Sequence, residues 1–275
     1  MLFGGTELAR RIERAERDLI AEGTAALASA TGVEGLVLPL AGGVAAFSGP
    51  DSPLTKVAGL GFDGAPGDAE LEAVERELGR RGAAVQVELA TLAEGGLAER
   101  LTARGYALIG FENVLVRPLE RLPEEHPGVA VAASRPEELE TWLDVLVEAF
   151  AAPDAQGLAT HESFPREATR RILRGMTSAP GFVRYLARRA DEPAGGASLR
   201  LAQGLAQLCG AGTLPRHRRR GVQGALLARC LADAARAGCD LAVVTTLPGS
   251  KSHENVQRAG FELVYARAIL RRAAP

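Results

Sequence analysis

Four arginines and a histidine precede two glycines in the stretch Arg216 to Leu227, which reads RHRRRGVQGALL. An apolar segment with strand character, residues 205–214, comes before it, and a helical run, ALLARCLADAARAG, follows. A strand, a basic turn with glycines and a helix together present backbone N–H groups and a helix N-terminus to a phosphate group. The glycines allow a ligand to approach the main chain without meeting a Cβ atom. The stretch therefore indicates a phosphate-binding turn; a solvated basic turn that caps a surface helix is the alternative.

Strands and helices alternate around this turn, as judged from the periodicity of the apolar residues. In the second half, strands are predicted at 129–133, 182–189, 196–202, 205–214, 241–246 and 261–270, and helices within 137–150, 166–176, 225–237 and 252–259. In the first half, helices are predicted at 6–30, 70–81 and 92–104, and strand-like runs at 35–40, 43–47, 56–62, 84–89 and 106–116.

The two halves contain an internal repeat. RGYALIGFENVLVR (104–117) lines up with AGFELVYARAILRR (259–272), and RRGAAVQVELA (80–90) with ARAGCDLAVVT (235–245). Further upstream, VAGLGF lies where LCGAGT lies in the second half. Three ordered matches favour a duplication of one fold. We therefore predict two lobes, residues 1–120 and 129–275, joined by a linker rich in Pro and Glu.

The phosphate-binding turn is not repeated in the first lobe. There the shorter, acidic sequence DGAPGD, residues 63–68, replaces the arginine-rich turn. Asp63 and Asp68 would repel a pyrophosphate group. We therefore predict that the first lobe keeps the fold but does not bind the cofactor.

Composition excludes several classes of protein. The chain has 275 residues, of which 47% are hydrophobic and 24% charged, which is typical of a packed globule. A net charge of −2 argues against a general nucleic-acid-binding protein. Pro39, Gly42 and Gly43 interrupt the best apolar run before it reaches membrane length. With a charged N-terminal segment and three cysteines without metal spacing, a cytoplasmic protein that does not act at membranes is expected.

Two motifs resemble those of the GNAT acetyltransferase superfamily. The sequence RRRGVQ at 218–223 is similar to its pyrophosphate loop, [Q/R]xxGx[G/A], although Gln223 occupies the last position and Gly224 follows it. SKSHENVQRAGF at 250–261 is similar to its SxxNxxxxGF segment. The duplicated chain resembles tandem members such as actinobacterial mycothiol synthase. This resemblance implies an α/β (α+β) fold of two lobes, each with a mixed, mostly antiparallel sheet flanked by helices.

The resemblance also implies acetyl-CoA as co-substrate. In the family the asparagine of the second motif contacts the pantetheine arm or the loop that holds it. For Ser252 a cap of the short helix is the alternative role, and Asn255 would then be merely exposed. His217 would either meet a phosphate of CoA or point into water. The residues assigned to cofactor binding are Thr213, Leu214, Arg218, Arg219, Arg220, Gly221, Val222, Gln223, Gly224, Ala225, Ser252 and Asn255.

The reaction implied is direct attack of an amine on the acetyl thioester. An amine with a pKa of about 10.4 must first lose a proton to a base. The strand 205–214 contains no Asp or Glu, so His161 and Glu162, in the loop between two helices, are the candidate bases, ahead of Glu148. A backbone N–H within Gly210–Leu214 would stabilise the oxyanion.

The departing thiolate needs a proton or a positive dipole. The position of the family's tyrosine is Val256, so Tyr265 on the last strand is the candidate acid, or else an aromatic that packs on a neighbouring strand.

Other functions remain open at this stage. The acceptor is the amine of an unidentified small molecule or peptide, and the protein is a monomer or a homodimer. A non-catalytic protein that senses CoA or binds a partner is the first alternative, because Val256 and the acid-free strand both favour it. Transfer of a longer acyl or aminoacyl group is the second.

Overall fold

The computed structural model describes residues 3–50, 52–120, 128–153, 156 and 164–274. Within these ranges the helices are α1 (Thr6–Thr31), α2 (Asp68–Gly79), α3 (Leu97–Ala103), α4 (Leu139–Ala151), α5 (Arg166–Met176), α6 (Val222–Arg236) and α7 (Lys251–Arg258). The strands are β1 (Leu36–Leu40), β2 (Gly43–Phe47), β3 (Val57–Ala58), β4 (Val85–Ala90), β5 (Ala107–Pro118), β6 (Ala130–Ala133), β7 (Phe182–Arg189), β8 (Glu192–Ala202), β9 (Leu205–Thr213), β10 (Leu241–Thr246) and β11 (Glu262–Arg272). None of the helices in the described ranges is both long enough and apolar enough to cross a membrane.

Two compact units make up the chain. Unit 1 contains Met1–Val114, Thr160–Ala179 and Leu263–Pro275, and unit 2 contains Leu115–Ala159 and Pro180–Glu262. The lobe boundaries predicted from the repeat, 1–120 and 129–275, describe the order of the repeat along the chain. They differ from the units because the last strand and α5 pack in unit 1.

In unit 1 the strand order is β1-β2-β3-β4-β11-β5. β3 and β4 are parallel, whereas β1–β2, β2–β3 and β4–β11 are antiparallel. One face of this sheet packs on α2 and α3 through a core that includes Val57, Leu78 and Leu101. The opposite face carries Val44 and Ala46 and packs on α1, against which α5 also lies.

In unit 2 the order is β5-β10-β9-β8-β7-β6, with β5 represented by its last residues, 115–118. β9 and β10 are parallel, and β6, β7, β8 and β9 are antiparallel neighbours. The helix α6 packs through Val222, Leu226 and Cys230 on a core shared with the strands. On α4, Trp142 is fully buried and its indole N–H donates to the carbonyl of Ala197, at 3.1 Å. The mixed, mostly antiparallel sheet flanked by helices is confirmed.

Strand β11 is the element whose position differs from the prediction that the repeat gives. It follows α7 of unit 2 in the sequence, yet it lies between β4 and β5 in unit 1. Conversely, the end of β5 lies beside β10, and Leu119 N–H donates to Asp240 O at 3.1 Å. The last strand of each repeat therefore lies next to a strand of the other repeat.

Buried charges hold β11 in unit 1. Arg267 Nε donates to Glu13 Oε1 at 2.8 Å, and both side chains are almost completely buried. Three further carboxylates, those of Glu16, Glu88 and Glu112, lie within 3.6 to 4.0 Å of the same guanidinium group. Leaving a buried charge without its partner costs about 3–5 kcal/mol. The ion pairs therefore favour this position of β11.

Candidate functional site

The parallel strands β9 and β10 of unit 2 are paired over only part of their length. Their register joins residues 205–207 to residues 241–243. β9 continues to Thr213 and β10 to Thr246. The two strands therefore separate toward their C-terminal ends, which opens a gap in the sheet there.

A bulge in β9 lies where the strands separate. Leu208 faces Leu199 of β8, but Ala211 faces Ala197, so two residues of β9 lie opposite the single residue Ser198. Gly210, one of the two, has a φ of +78°, the left-handed conformation that glycine adopts in bulges of this kind. The hydroxyl group of Ser198 donates to the carbonyl of Cys209. The bulge leaves backbone groups of β9 outside the regular ladder.

A cavity of about 100 Å³ adjoins the separated strand ends. Its lining is mainly apolar, with contributions from β8, β9, β10, α6 and α7, and includes Leu208, Leu227, Val244 and Val256. Two residues of the predicted cofactor site, Gln223 and Ser252, also line it. An apolar pocket with a few polar groups is typical of a small-molecule site. The sequence alone gives little indication of which residues line this cavity. Gly210, a glycine inside a strand, is the one local feature that indicates it.

The N-terminus of α6 lies at the predicted phosphate turn. Gly221 precedes the helix with a φ of +79°, and Ala225 N–H donates to its carbonyl at 2.9 Å. The first N–H groups of the helix, up to Gly224, have no partner within the helix. No acidic residue lies in this first turn. The helix dipole and these donors therefore favour an anion at this end of α6.

The corresponding helix of unit 1, α2, begins differently. Its first turn carries Asp68 and Glu70, and Glu70 Oε2 accepts from the N–H of Gly67 at 2.7 Å. Asp63 Oδ1 accepts from Arg14 Nη2, also at 2.7 Å. The first turn of α2 therefore carries two acidic residues, whereas the first turn of α6 carries none.

Asn255 connects α7 to the start of α6. Its Nδ2 donates to Gln223 Oε1 at 3.0 Å, so the side chain contacts the first turn of α6. The cap of α7 is Ser250, whose hydroxyl oxygen accepts from the N–H of His253 at 3.1 Å. The alternative role of Ser252 as helix cap is therefore wrong, since Ser252 is already inside the helix and lines the cavity.

The arginines of the turn differ in what they contact. Arg218 Nε lies 3.4 Å from the carbonyl oxygen of Thr213. Arg219 has a φ of +57°, which is uncommon for a residue with a long side chain, and both Arg219 and Arg220 are exposed. The N–H of Leu214 donates to Ala194 O at 3.0 Å. That amide is consequently not free to stabilise an oxyanion.

The candidate catalytic residues are not brought together by the described part of the chain. His161 and Glu162 lie outside the described residues. Tyr265 lies in unit 1, where its hydroxyl group donates to Glu13 Oε1 at 2.6 Å. Burial raises the pKa of Tyr265 well above its usual value, and the negative charge of Glu13 adds to this effect.

His217 is buried rather than directed into water. Among the described residues, neither of its ring nitrogens has a hydrogen-bond partner. Burial lowers the pKa of His217, and the positive charge of Arg216 lowers it further. The imidazole is therefore neutral near pH 7, so it carries no positive charge toward a phosphate.

Comparison with known proteins adds four findings. A model of the acetyltransferase (GNAT) domain matches residues 111–252. A GCN5-related N-acetyltransferase from Kribbella flavida is 23% identical, with a TM-score of 0.61 over 90% of this chain and 94% of that chain. A tandem GNAT protein from the clavulanic acid biosynthesis pathway is 15% identical, with a TM-score of 0.55 over 75% of this chain and 69% of that one. No curated protein matches the chain.

Proposed function

Because the chain belongs to the GNAT acetyltransferase family, we propose that unit 2 transfers an acetyl group from acetyl-CoA to the amine of an acceptor. The observation that carries the proposal is the alignment of three features. The strands β9 and β10 separate, an apolar cavity adjoins their ends, and residues of that cavity reach the open N-terminus of α6. An apolar cavity whose lining includes Gln223, in the first turn of α6, suits a pantetheine arm attached to a diphosphate.

The residues present fit the parts of acetyl-CoA. The diphosphate would accept hydrogen bonds from the backbone N–H groups at the start of α6, near Gly221, with Arg219 and Arg220 close by. The pantetheine arm would lie along the cavity, past Gln223 and Ser252. The thioester would then come close to the bulge at Gly210, where backbone donors of β9 lie outside the regular ladder.

Acetyl transfer requires an exchange of bonds at the carbonyl carbon, stabilisation of the oxyanion and two proton transfers. The nitrogen of a neutral amine forms a bond to the carbonyl carbon, and the carbon–sulfur bond breaks with its electron pair going to sulfur. A backbone N–H of residues 210–213 would donate to the oxyanion, since the amide of Leu214 is engaged by Ala194. The amine's proton would pass to a base, for which His161 and Glu162 stay the predictions, and the thiolate would be protonated. As acid, Tyr265 stays a prediction, although its hydroxyl group is occupied by Glu13.

Unit 1 is proposed to bind no cofactor. The support is the pair of acidic residues in the first turn of α2, Asp68 and Glu70, together with Asp63, which precedes this helix in the sequence and pairs with Arg14. Negative charge at a helix N-terminus satisfies the dipole that a phosphate would otherwise use. Asp63 is held in its ionised form, because the hydrogen bond from Arg14 lowers its pKa.

The experiment that tests catalysis is release of the CoA thiol. The protein is incubated with acetyl-CoA and a panel of primary amines, and free thiol is followed with a chromogenic disulfide. The double variant Arg219→Glu, Arg220→Glu serves as the matched control. We expect thiol release above the hydrolysis background with at least one amine, and none with the control. If acetyl-CoA binds but no amine in a broad panel gives release, transfer is not the function.

A non-catalytic CoA-binding protein is the second candidate. Two observations favour it: β9 carries no Asp or Glu, and Val256 occupies the position of the family's tyrosine. The side chain of Val256 is buried and lines the cavity. It can therefore contact a ligand but cannot donate a proton to it. This candidate shares the cofactor site with the first, and the thiol-release experiment separates them.

A further inference from the structure

We propose that the arginines of the phosphate turn divide into two pairs with separate tasks. Arg216 and Arg218 fasten the turn to the C-terminal end of α4, and Arg219 and Arg220 hold the diphosphate. The second half of this statement rests on the proposed function, whereas the first half concerns the free protein. The division makes Arg218 a positioning residue instead of a ligand of the cofactor.

Arg218 is engaged by backbone carbonyls. Its Nη2 atom donates to the carbonyls of Ala149, at 3.4 Å, and of Ala152, and its Nε atom donates to Thr213 O. These contacts connect the last turn of α4, the end of β9 and the phosphate turn. Two of the three guanidinium nitrogens, Nε and Nη2, are thus directed at protein carbonyls, which leaves Nη1 alone for a phosphate.

The end of α4 needs such a partner. Its last turn contains no basic residue, and Ala152 ends the helix with a φ of −128° rather than in the left-handed conformation that satisfies terminal carbonyls. The last carbonyls of a helix carry a partial negative charge, which a cation stabilises. Arg218 thus supplies from a distant part of the sequence the cap that α4 lacks.

Arg216 makes a second, weaker connection to α4. Its Nη1 atom lies 3.3 Å from Glu148 Oε1, and the two side chains are 57% and 48% exposed. Ion pairs this exposed contribute little to stability. Arg218 therefore makes the main attachment of the turn to α4, and Arg216 makes a weaker contact with the same helix.

Arg219 and Arg220 differ from this pair. Within the part of the chain that the structure describes, neither side chain forms a hydrogen bond or an ion pair. Both are exposed and directly precede Gly221, the residue at the N-terminus of α6. Two cations without protein partners beside open helix donors are the groups available to a diphosphate.

Two measurements separate the tasks. The first is hydrogen exchange of the free protein over residues 147–152, at the end of α4. The second is the dissociation constant of CoA between 50 and 500 mM salt, since screening weakens charge–charge contacts with the diphosphate. The variants are Arg218→Ala, Arg218→Lys, Arg219→Ala and Arg220→Ala. Arg236→Ala is the control, because Arg236 is an exposed arginine at the far end of α6, paired with Asp233.

We expect Arg218→Ala to accelerate exchange at the end of α4 by at least tenfold, and Arg218→Lys to restore part of the protection. The Arg218→Ala variant should bind CoA more weakly at every salt concentration. The change of its affinity with salt should match that of the unmodified protein. Arg219→Ala and Arg220→Ala should leave α4 unchanged, weaken CoA binding about tenfold at low salt and flatten its salt dependence.

The proposal is overturned if Arg218→Ala flattens the salt dependence while exchange in α4 stays unchanged. Should the unmodified protein bind no CoA, the proposed function fails. The exchange data would still decide whether Arg218 fastens α4.

Discussion

Asn255 Nδ2 donates to Gln223 Oε1 at 3.0 Å, and this contact joins α7 to the first turn of the helix whose N-terminus faces the phosphate turn. The family motif leaves open whether the asparagine touches the pantetheine arm or the loop that holds it. In this protein the asparagine contacts the first turn of α6. It therefore braces the helix at which the cofactor is proposed to bind.

Loss of this brace should weaken cofactor binding. We expect Asn255→Ala to reduce the affinity for CoA about 3- to 10-fold, because one hydrogen bond contributes about 0.5–1.5 kcal/mol and about 1.4 kcal/mol is tenfold. Gln257→Ala, an exposed position on the same helix, is the control. Isothermal titration with CoA measures both. Equal affinities of the two variants for CoA would contradict the proposal that Asn255 braces α6.

Filling the cavity should block the cofactor without unfolding unit 2. Thr245 lines the cavity near the end of β10 and is half-buried. We expect Thr245→Phe to lower CoA affinity at least tenfold, while the shape-conserving Thr245→Val leaves it within about threefold. The melting temperature without ligand should change little, because the cavity can accept the added ring. Undiminished CoA binding by Thr245→Phe would place the pantetheine arm elsewhere.

His217 should make unit 2 sensitive to acid. Burial, followed by repulsion from Arg216, lowers its pKa in the folded protein below the usual value. Arg189 and Arg220 act in the same direction, and Glu192 opposes them. A basic group with a lowered folded pKa contributes stability that is present above its unfolded pKa, about 6.5, and is lost as the pH falls through the folded value.

The fluorescence of Trp142, the single tryptophan, reports on unit 2 and follows this loss. The unfolding midpoint of the unmodified protein should fall more steeply between pH 7 and 5 than that of His217→Asn, in which no imidazole has to stay neutral. Parallel pH profiles for the two proteins would mean that His217 is not responsible.

Glu112 should give unit 1 the opposite dependence on pH. Burial, with the negative charge of Glu88, raises the pKa of Glu112 to about 8. Lys56 and Arg267 lower it, and Glu16 raises it further. An acid with a raised folded pKa contributes stability that is fully present below its unfolded pKa, about 4.3, and is lost as the pH rises through about 8.

Thermal unfolding followed by far-ultraviolet circular dichroism between pH 6 and 9 tests this point. We expect the midpoint of the unmodified protein to fall across this range and that of Glu112→Gln to stay nearly level, because the amide has no proton to lose. A fall of the same size in Glu112→Gln would assign the alkaline sensitivity to another group.

Local sequence patterns predicted the glycine that precedes α6 and the helix itself, and the structure confirms both. A few neighbouring residues are enough to interpret Gly221, the arginines before it and the helical run after it. The same holds for the acidic turn of the first lobe, where Asp63 and Asp68 were recognised from the repeat. These features depend on local conformation and charge, which sequence expresses directly.

Long-range features could not be predicted in this way. Tyr265 and Arg267 meet Glu13 across more than 250 residues of sequence, and nothing in the local pattern of β11 distinguishes pairing with β4 from pairing within its own repeat. The short register between β9 and β10 is likewise a property of the folded sheet. The contacts of Arg218 with the end of α4 are a third example, because spacing along the chain does not show that residues 149 and 152 lie beside its guanidinium group.

The most direct test of cofactor binding by unit 2 alone is isothermal titration of acetyl-CoA into three proteins: the unmodified chain, the double variant Arg219→Glu, Arg220→Glu, and Asp63→Asn. We expect one site per chain in the first, no detectable binding in the second and unchanged binding in the third. No binding to the unmodified chain at millimolar acetyl-CoA would contradict the proposal. So would binding that survives the charge reversal or is lost in Asp63→Asn.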